Sequence, residues 1–292
     1  MGCDRTLSIE DLERLRDTTY HRTPVLRIRT VEEAAEFIDQ SGMAFAFKAM
    51  NSELPCLWHA ACGERNPVLP EHTHHDPAIG LVWEVKDILP LTKRIYYGKA
   101  LRKTPTMISL ELFPSFYATK GYGDEEETMY HSFRQKLSRS AYRILDVLRS
   151  SPPLPTRELK IASGNSGPEK RYQFDRAMAE LQELLLIVKI EETSDPFSFV
   201  WGRLDRWLVR EVQLARNISR EAGRFKVLEK YFSRVVTSTP EQIRRLFKWN
   251  IKEIETALGS LLQKEIISNR IRILDAPGTW YIHSRFFSLP AR

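Results

Sequence analysis

Cys56, His59 and Cys62 recur at a spacing of three, and Glu71, His72, His74, His75 and Asp76 crowd one loop. Thiolates, imidazoles and carboxylates are zinc ligands, and a structural zinc site takes four of them. The spacing argues against such a site. Cys56, His59 and Cys62 would spiral around a helix instead of converging, and the His-rich loop lacks the paired spacing of a finger. The expectation is a solvated His loop, small buried thiols and no metal. Phosphate-cradling and nucleophile motifs are missing as well. Gly121-Tyr122-Gly123 is not followed by Gly-Lys-Ser, and no strand-turn-helix serine motif occurs. No cofactor is expected.

Cations form the other chemical signal. Lys93 to Lys103 holds five cations (Lys93, Arg94, Lys99, Arg102 and Lys103), two tyrosines and no acid. Aromatics among cations suit base stacking plus phosphate contact. The alternative is a helix whose Ile95, Leu101 and one tyrosine pack inward. The net charge of +6 is uneven: residues 203–292 carry 18 Lys+Arg against 9 Asp+Glu, whereas residues 1–202 carry 26 against 29. Arg203, Arg206, Arg210, Arg216, Arg220, Arg224 and Lys226 open the basic end. Such a surface recruits polyanions through phosphate contacts and counterion release.

The elements that would carry these charges repeat. Residues 137–201 and 221–283 each read as helix, short polar turn, helix and two apolar strands with a Trp-bearing end. In the first copy, Ala141 to Leu148 is a helix broken by Pro152, Pro153 and Pro155. Thr156 is the expected N-cap of the next helix, residues 163–167 are the turn, and Phe174, Ala177, Met178 and Leu181 mark a second amphipathic helix. Leu186–Ile190 and Phe197–Trp201 read as strands. In the second copy, Val227, Leu228, Tyr231 and Phe232 face inward. Pro240 opens a helix, and Asn250 with Glu253 forms a capping box. Residues 266–271 and 279–282 are the expected strands. At an offset of 80, Ala177 matches Ala257, Leu181 matches Leu261, and Leu186-Ile187 matches Ile266-Ile267. A shared register over helix and strand argues for a repeated module. The pattern is that of a winged helix-turn-helix, a duplex-reading unit.

In the N-terminal half, residues 7–20 and 30–41 read as helices, the second capped by Thr30 with Glu33 as its partner. Met43–Phe47 reads as a buried strand, Leu54–Ala61 as a helix stopped by Gly63, and 63–80 as loop. Residues 81–90 and 105–118 read as further helices or strands. The order suggests a degenerate third winged helix. The expected class is α+β, mainly helical, with tandem winged helix-turn-helix modules. The expected organisation is an N-terminal winged-helix-like domain at 1–120, an acidic linker at 121–136 around Asp124–Glu127, a winged helix at 137–202, a basic connecting helix at 203–220 and a C-terminal winged helix at 221–292. No long apolar run or signal segment is present, and three cysteines fit a reducing compartment. The expected setting is cytoplasmic and nucleoid-associated. No dimer helix is evident, so a monomer without a membrane partner is expected. Lys170, Arg171, Gln173 and Arg176 would approach double-stranded DNA, with Arg203, Arg206, Arg210, Lys248, Asn250 and Lys252 nearby.

Leu57-Trp58, Trp83 to Leu89-Pro90, Phe113-Pro114-Ser115-Phe116-Tyr117 and the two C-terminal modules together resemble the AlkZ-like (YcaQ-like) winged-helix DNA glycosylases. The resemblance implies tandem winged helices and excision of alkylated or crosslinked bases. Enzymes of that family carry a Gln-x-Gln or Gln-x-Asp pair near the end of the first winged helix. Here Gly42 to Trp58 holds no Gln, its polar members being Lys48, Asn51, Ser52 and Glu53, and Trp83-Glu84-Val85-Lys86-Asp87 lacks the family's His. Base excision requires a group that orients water and stabilises the oxocarbenium charge. Glu53 is the first candidate, Asp87 the second and Glu84 the third, with His59 as a proton shuttle. Otherwise Glu53 is a helix N-terminal carboxylate beside Pro55. Two other functions fit the sequence: a non-catalytic DNA-binding regulator and a protein-binding assembly module.

Overall fold

The computed structural model describes residues 5–48, 53–122 and 126–287. Asn51, Ser52 and the start of the acidic stretch at Asp124 lie outside them. The chain opens with β1 (Arg5–Leu7) and α1 (Ile9–Thr19). One connectivity then appears three times, helix, strand, helix, helix, strand, strand, with one extra strand before the last in the third. The first unit has α2 (Val31–Ser41), β2 (Met43–Phe45), α3 (Leu57–Cys62), α4 (Pro77–Leu91), β3 (Ile95–Leu101) and β4 (Thr104–Ser109). After α5 (Phe113–Ala118) and α6 (Glu126–Lys136), the second has α7 (Arg139–Ser150), β5 (Leu154–Pro155), α8 (Thr156–Ala162), α9 (Arg171–Glu183), β6 (Ile187–Ser194) and β7 (Phe197–Arg203). After α10 (Leu204–Trp207) and α11 (Val209–Arg216), the third has α12 (Arg220–Val235), β8 (Thr237–Ser238), α13 (Pro240–Phe247), α14 (Ile251–Gln263) and β9 (Ile267–Ser268). Then come β10 (Ile271–Ile273), β11 (Tyr281–His283) and α15 (Ser284–Phe287). Each unit's sheet places its last strand in the middle, in the orders β2-β4-β3, β5-β7-β6 and β8-β11-β9.

The junction from third helix to strand is made identically each time. Lys93, Leu185 and Glu265 take left-handed φ values of 54°, 56° and 55°. The next residue's N–H reaches back five positions, from Arg94 to Leu89, Leu186 to Leu181 and Ile266 to Leu261, at 2.8–3.0 Å. This Schellman closure satisfies the last carbonyls of each helix and turns the chain into the strand. Apolar residues on either side, such as Leu181 and Ile187, are fully buried.

Several local expectations change. Pro77 opens α4, with the Asp76 carboxylate capping Ile79 N–H at 2.8 Å, so the loop ends there. Glu33 accepts from Arg29 N–H instead of closing a capping box. The basic run 93–103 is a strand and hairpin tip, with Tyr96 buried. Thr156 is the first residue of α8, not its cap; its hydroxyl bridges the Phe199 carbonyl and Trp201 Nε1. The expected strand 266–271 splits, and β10 pairs with β1 in parallel. That pairing, and hydrogen bonds from Arg16 to Val235 O and Thr19 to Arg234 O, attach β1 and α1 to the third unit. The segment 126–136 is helical, and 203–220 is two short helices broken at Leu208, not one.

One buried cluster runs through all three units, including Phe45, Tyr96 and Phe113, then Leu185 and Val188, then Leu228 and Phe232. Within it α12 crosses close on α5: a methyl group on Gly223 would lie 2.6 Å from the Ser115 carbonyl oxygen. Backbone cannot yield as a side chain does, so glycine is required there although it weakens the helix. Gly223→Ala is expected to lower unfolding free energy by about 1–3 kcal/mol through overpacking, despite its better helix propensity. A lower denaturant midpoint checks this.

Candidate functional site

Residues 53–58 run beside β2, where Phe45 N–H bonds Pro55 O and Trp58 N–H bonds Ala46 O. This aims Glu53 and His59 into a cavity of about 190 Å³, which α1 and the segment after it also line with Arg16, Tyr20 and Arg22. Arg245 Nη2 donates to Glu53 Oε1 at 2.8 Å, and the Tyr20 hydroxyl donates to the Glu53 carbonyl. Because α3 begins only at Leu57, Glu53 is not a helix N-terminal carboxylate. His59 is buried, and its Nε2 has no hydrogen-bond partner among the described residues. Burial, with the charges of Lys48 and Arg22, pushes its pKa down to about 4, so the ring is neutral at pH 7. The wall is an ion-pair network: Glu13 holds Arg16 and Arg22, and Asp17 holds Arg22 and Arg65, at 2.6–3.0 Å. Burial pushes the Cys56 thiol up to about 12 and the Cys62 thiol to about 11.

The other two carboxylates lie elsewhere. Asp87 joins Lys86, Lys189 and Glu192 in an ion cluster between α4 and β6. Burial raises its pKa, and hydrogen bonds from those lysines outweigh that, holding the carboxyl below its usual value. Glu84 is exposed on α4. Neither meets Glu53.

The expected DNA contacts divide similarly. On α9, Arg171, Gln173 and Arg176 are exposed beside Tyr172, which is 74% exposed. Lys170 Nζ donates to Gly164 O at 3.1 Å, tying down the turn before α9. Arg206 and Arg210 are exposed on α10 and α11. Arg203, by contrast, does not present its charge to DNA: it is 5% exposed and bound to Asp205. Lys93 lies over the Trp207 ring at 4.3 Å, and Arg94 pairs with Asp39 at 2.7 Å. Lys99 is half-buried, with its N–H on Gln182 Oε1. The tyrosines of this run therefore offer no open stacking face at Tyr96. Asn250 is consumed by its capping box with Glu253, while Lys252 stays exposed.

A larger concavity, about 630 Å³, opens where the units meet. It gathers Arg102 and Lys103 from the β3–β4 tip, Lys120 after α5, and Lys248 with Phe247 and Trp249 from the third unit. Lys120 is absent from the sequence reading; its signal was a lysine between a short apolar helix and Gly121. Burial lowers its amine to about 8, and Nζ donates to Glu183 O at 2.8 Å.

A family model described as AlkZ related matches residues 28–248. Among solved structures, Streptomyces sahachiroi DNA glycosylase AlkZ is similar over 96% of this chain and 71% of that one, with a TM-score of 0.59 and 10% identity. At that identity the likeness is one of fold. No curated protein matches by sequence. Because the family model spans most of the chain, from before α2 to the end of α13, the chain belongs to the AlkZ-related family.

Proposed function

We propose that this protein binds duplex DNA through winged-helix units and excises a damaged base by hydrolysing its N-glycosidic bond, as a repair enzyme of the cytoplasm and nucleoid. The observation that carries this reading is the Glu53–His59 cavity, in a chain whose fold resembles that of a DNA glycosylase. Base loss leaves positive charge on the sugar, and water attacks C1′. A carboxylate stabilises that charge and orients the water. Glu53 supplies it, held in place by Arg245. The neutral His59 lines the same cavity, and at pH 7 it is not a proton carrier. The target nucleotide leaves the stack to reach such a cavity. Binding rests on Arg171, Gln173 and Arg176 along α9, supported by Arg206, Arg210 and Lys252. The three repeated units, near 28–110, 137–203 and 220–287, are the proposed winged helices.

A second reading has its own support. Glu53 Oε1 is already engaged by Arg245, and no Gln lies between Gly42 and Trp58. A protein that recognises a lesion without cleaving would fit both facts.

Three outcomes are expected. With duplex carrying N7- or N3-alkylated purines or crosslinks, abasic sites form, and Glu53→Gln lowers their rate by about 100-fold or more with binding retained. Binding without abasic product favours the second reading. Arg171→Glu with Arg176→Glu lowers the slope of log affinity against log salt by about 1.8, measured by titration with duplex at several salt concentrations. Finally, His59 has a folded pKa of about 4, below the ordinary 6.5, so the unfolded chain binds more protons between those values. Its stabilising contribution is complete above pH 6.5 and is lost as pH falls towards 4. His59→Gln should flatten that part of the stability–pH curve in denaturant titrations.

A further inference from the structure

We propose that the cleft where the three units meet binds a single strand of nucleic acid, separately from the duplex-facing side of α9. Three observations converge. First, its cations come from three separate elements, the β3–β4 tip, the end of α5 and the α13–α14 turn, and among the described residues Glu183 is the one carboxylate that lines it. Second, its floor is apolar: Phe116 lies beneath Lys120 Nζ, and Trp249 stacks on Phe247 at 4.6 Å between ring centroids, 17° from parallel. These rings are buried, so the hold on a strand comes from the positive groove that follows its backbone. Third, a concavity of about 630 Å³ is on the scale of a small-molecule site and too small for a duplex.

The backbone builds this arrangement deliberately. Arg102 and Lys103 both take left-handed φ values, 52° and 55°, as the two-residue turn between β3 and β4. Lys248 does so at 60°, where α13 ends. Turns that usually use Gly, Asn or Asp here use cations. The Lys120 amine, lowered to about 8 by burial, still carries its charge at neutral pH and sits at the back of the cleft.

The inference rests on the nucleic-acid reading of the protein, and the test separates the two. Fluorescence anisotropy is measured with a labelled oligothymidylate and with a duplex of equal length. Lys103→Asp with Lys248→Asp removes two exposed cations, aspartate being tolerated at left-handed positions. This pair is expected to weaken single-strand binding at least about tenfold and to reduce its salt slope by about 1.4. Duplex affinity stays within about threefold, and Arg171→Glu with Arg176→Glu shows the reverse preference. Unchanged single-strand affinity in the cleft variant, or an equal loss for strand and duplex, overturns the proposal. Wild-type protein that binds the strand but no duplex would refute the duplex reading and leave the cleft standing.

Discussion

The α12–α5 crossing at Gly223 is the constraint on which the remaining arrangement depends. It brings helix backbones close enough for apolar residues of all three units to share one cluster. Interiors pack near crystal density and resist deformation, so units joined this way hold their outer surfaces in fixed relation. The Glu53 cavity and the junction cleft both need that relation. Arg245 of α13 reaches Glu53 of the first unit, and Lys248, three residues further, lines the cleft with the β3–β4 tip. One short helix therefore contributes to both concavities.

The repeat was legible because it is written in local rules. Schellman closures, capping boxes and period-3.6 apolar faces depend on residues a few positions apart, so an offset of 80 carried from Leu181-Leu186 to Leu261-Ile266 with the same hydrogen bond. The third occurrence was suggested only by its element order. Its loops differ in length, so its elements keep no shared offset with the other two. The attachment of β1 to β10 was illegible, since a parallel pairing across more than 260 residues leaves no mark in either segment.

Site residues fared differently for the same reason. Glu53 and His59 lie six residues apart, and the path of the chain alongside β2 unites them. Asp87 and Arg203 carry charges suited to catalysis and to phosphate contact, yet a lysine cluster and a neighbouring aspartate neutralise them. Sequence shows a charge but not its partner. The network of Glu13, Arg16, Asp17, Arg22 and Arg65 shows this best: α1 belongs to the first unit by sequence position, packs on the third, and walls the cavity of the first.

Hydrogen–deuterium exchange on the full chain, with and without lesion-bearing duplex, tests the central claim most directly. The account predicts slower exchange in two separate segments, α8 through α9 and residues 53–63, with no change around the exposed Glu84. Protection confined to the third unit, or none at all, would contradict it.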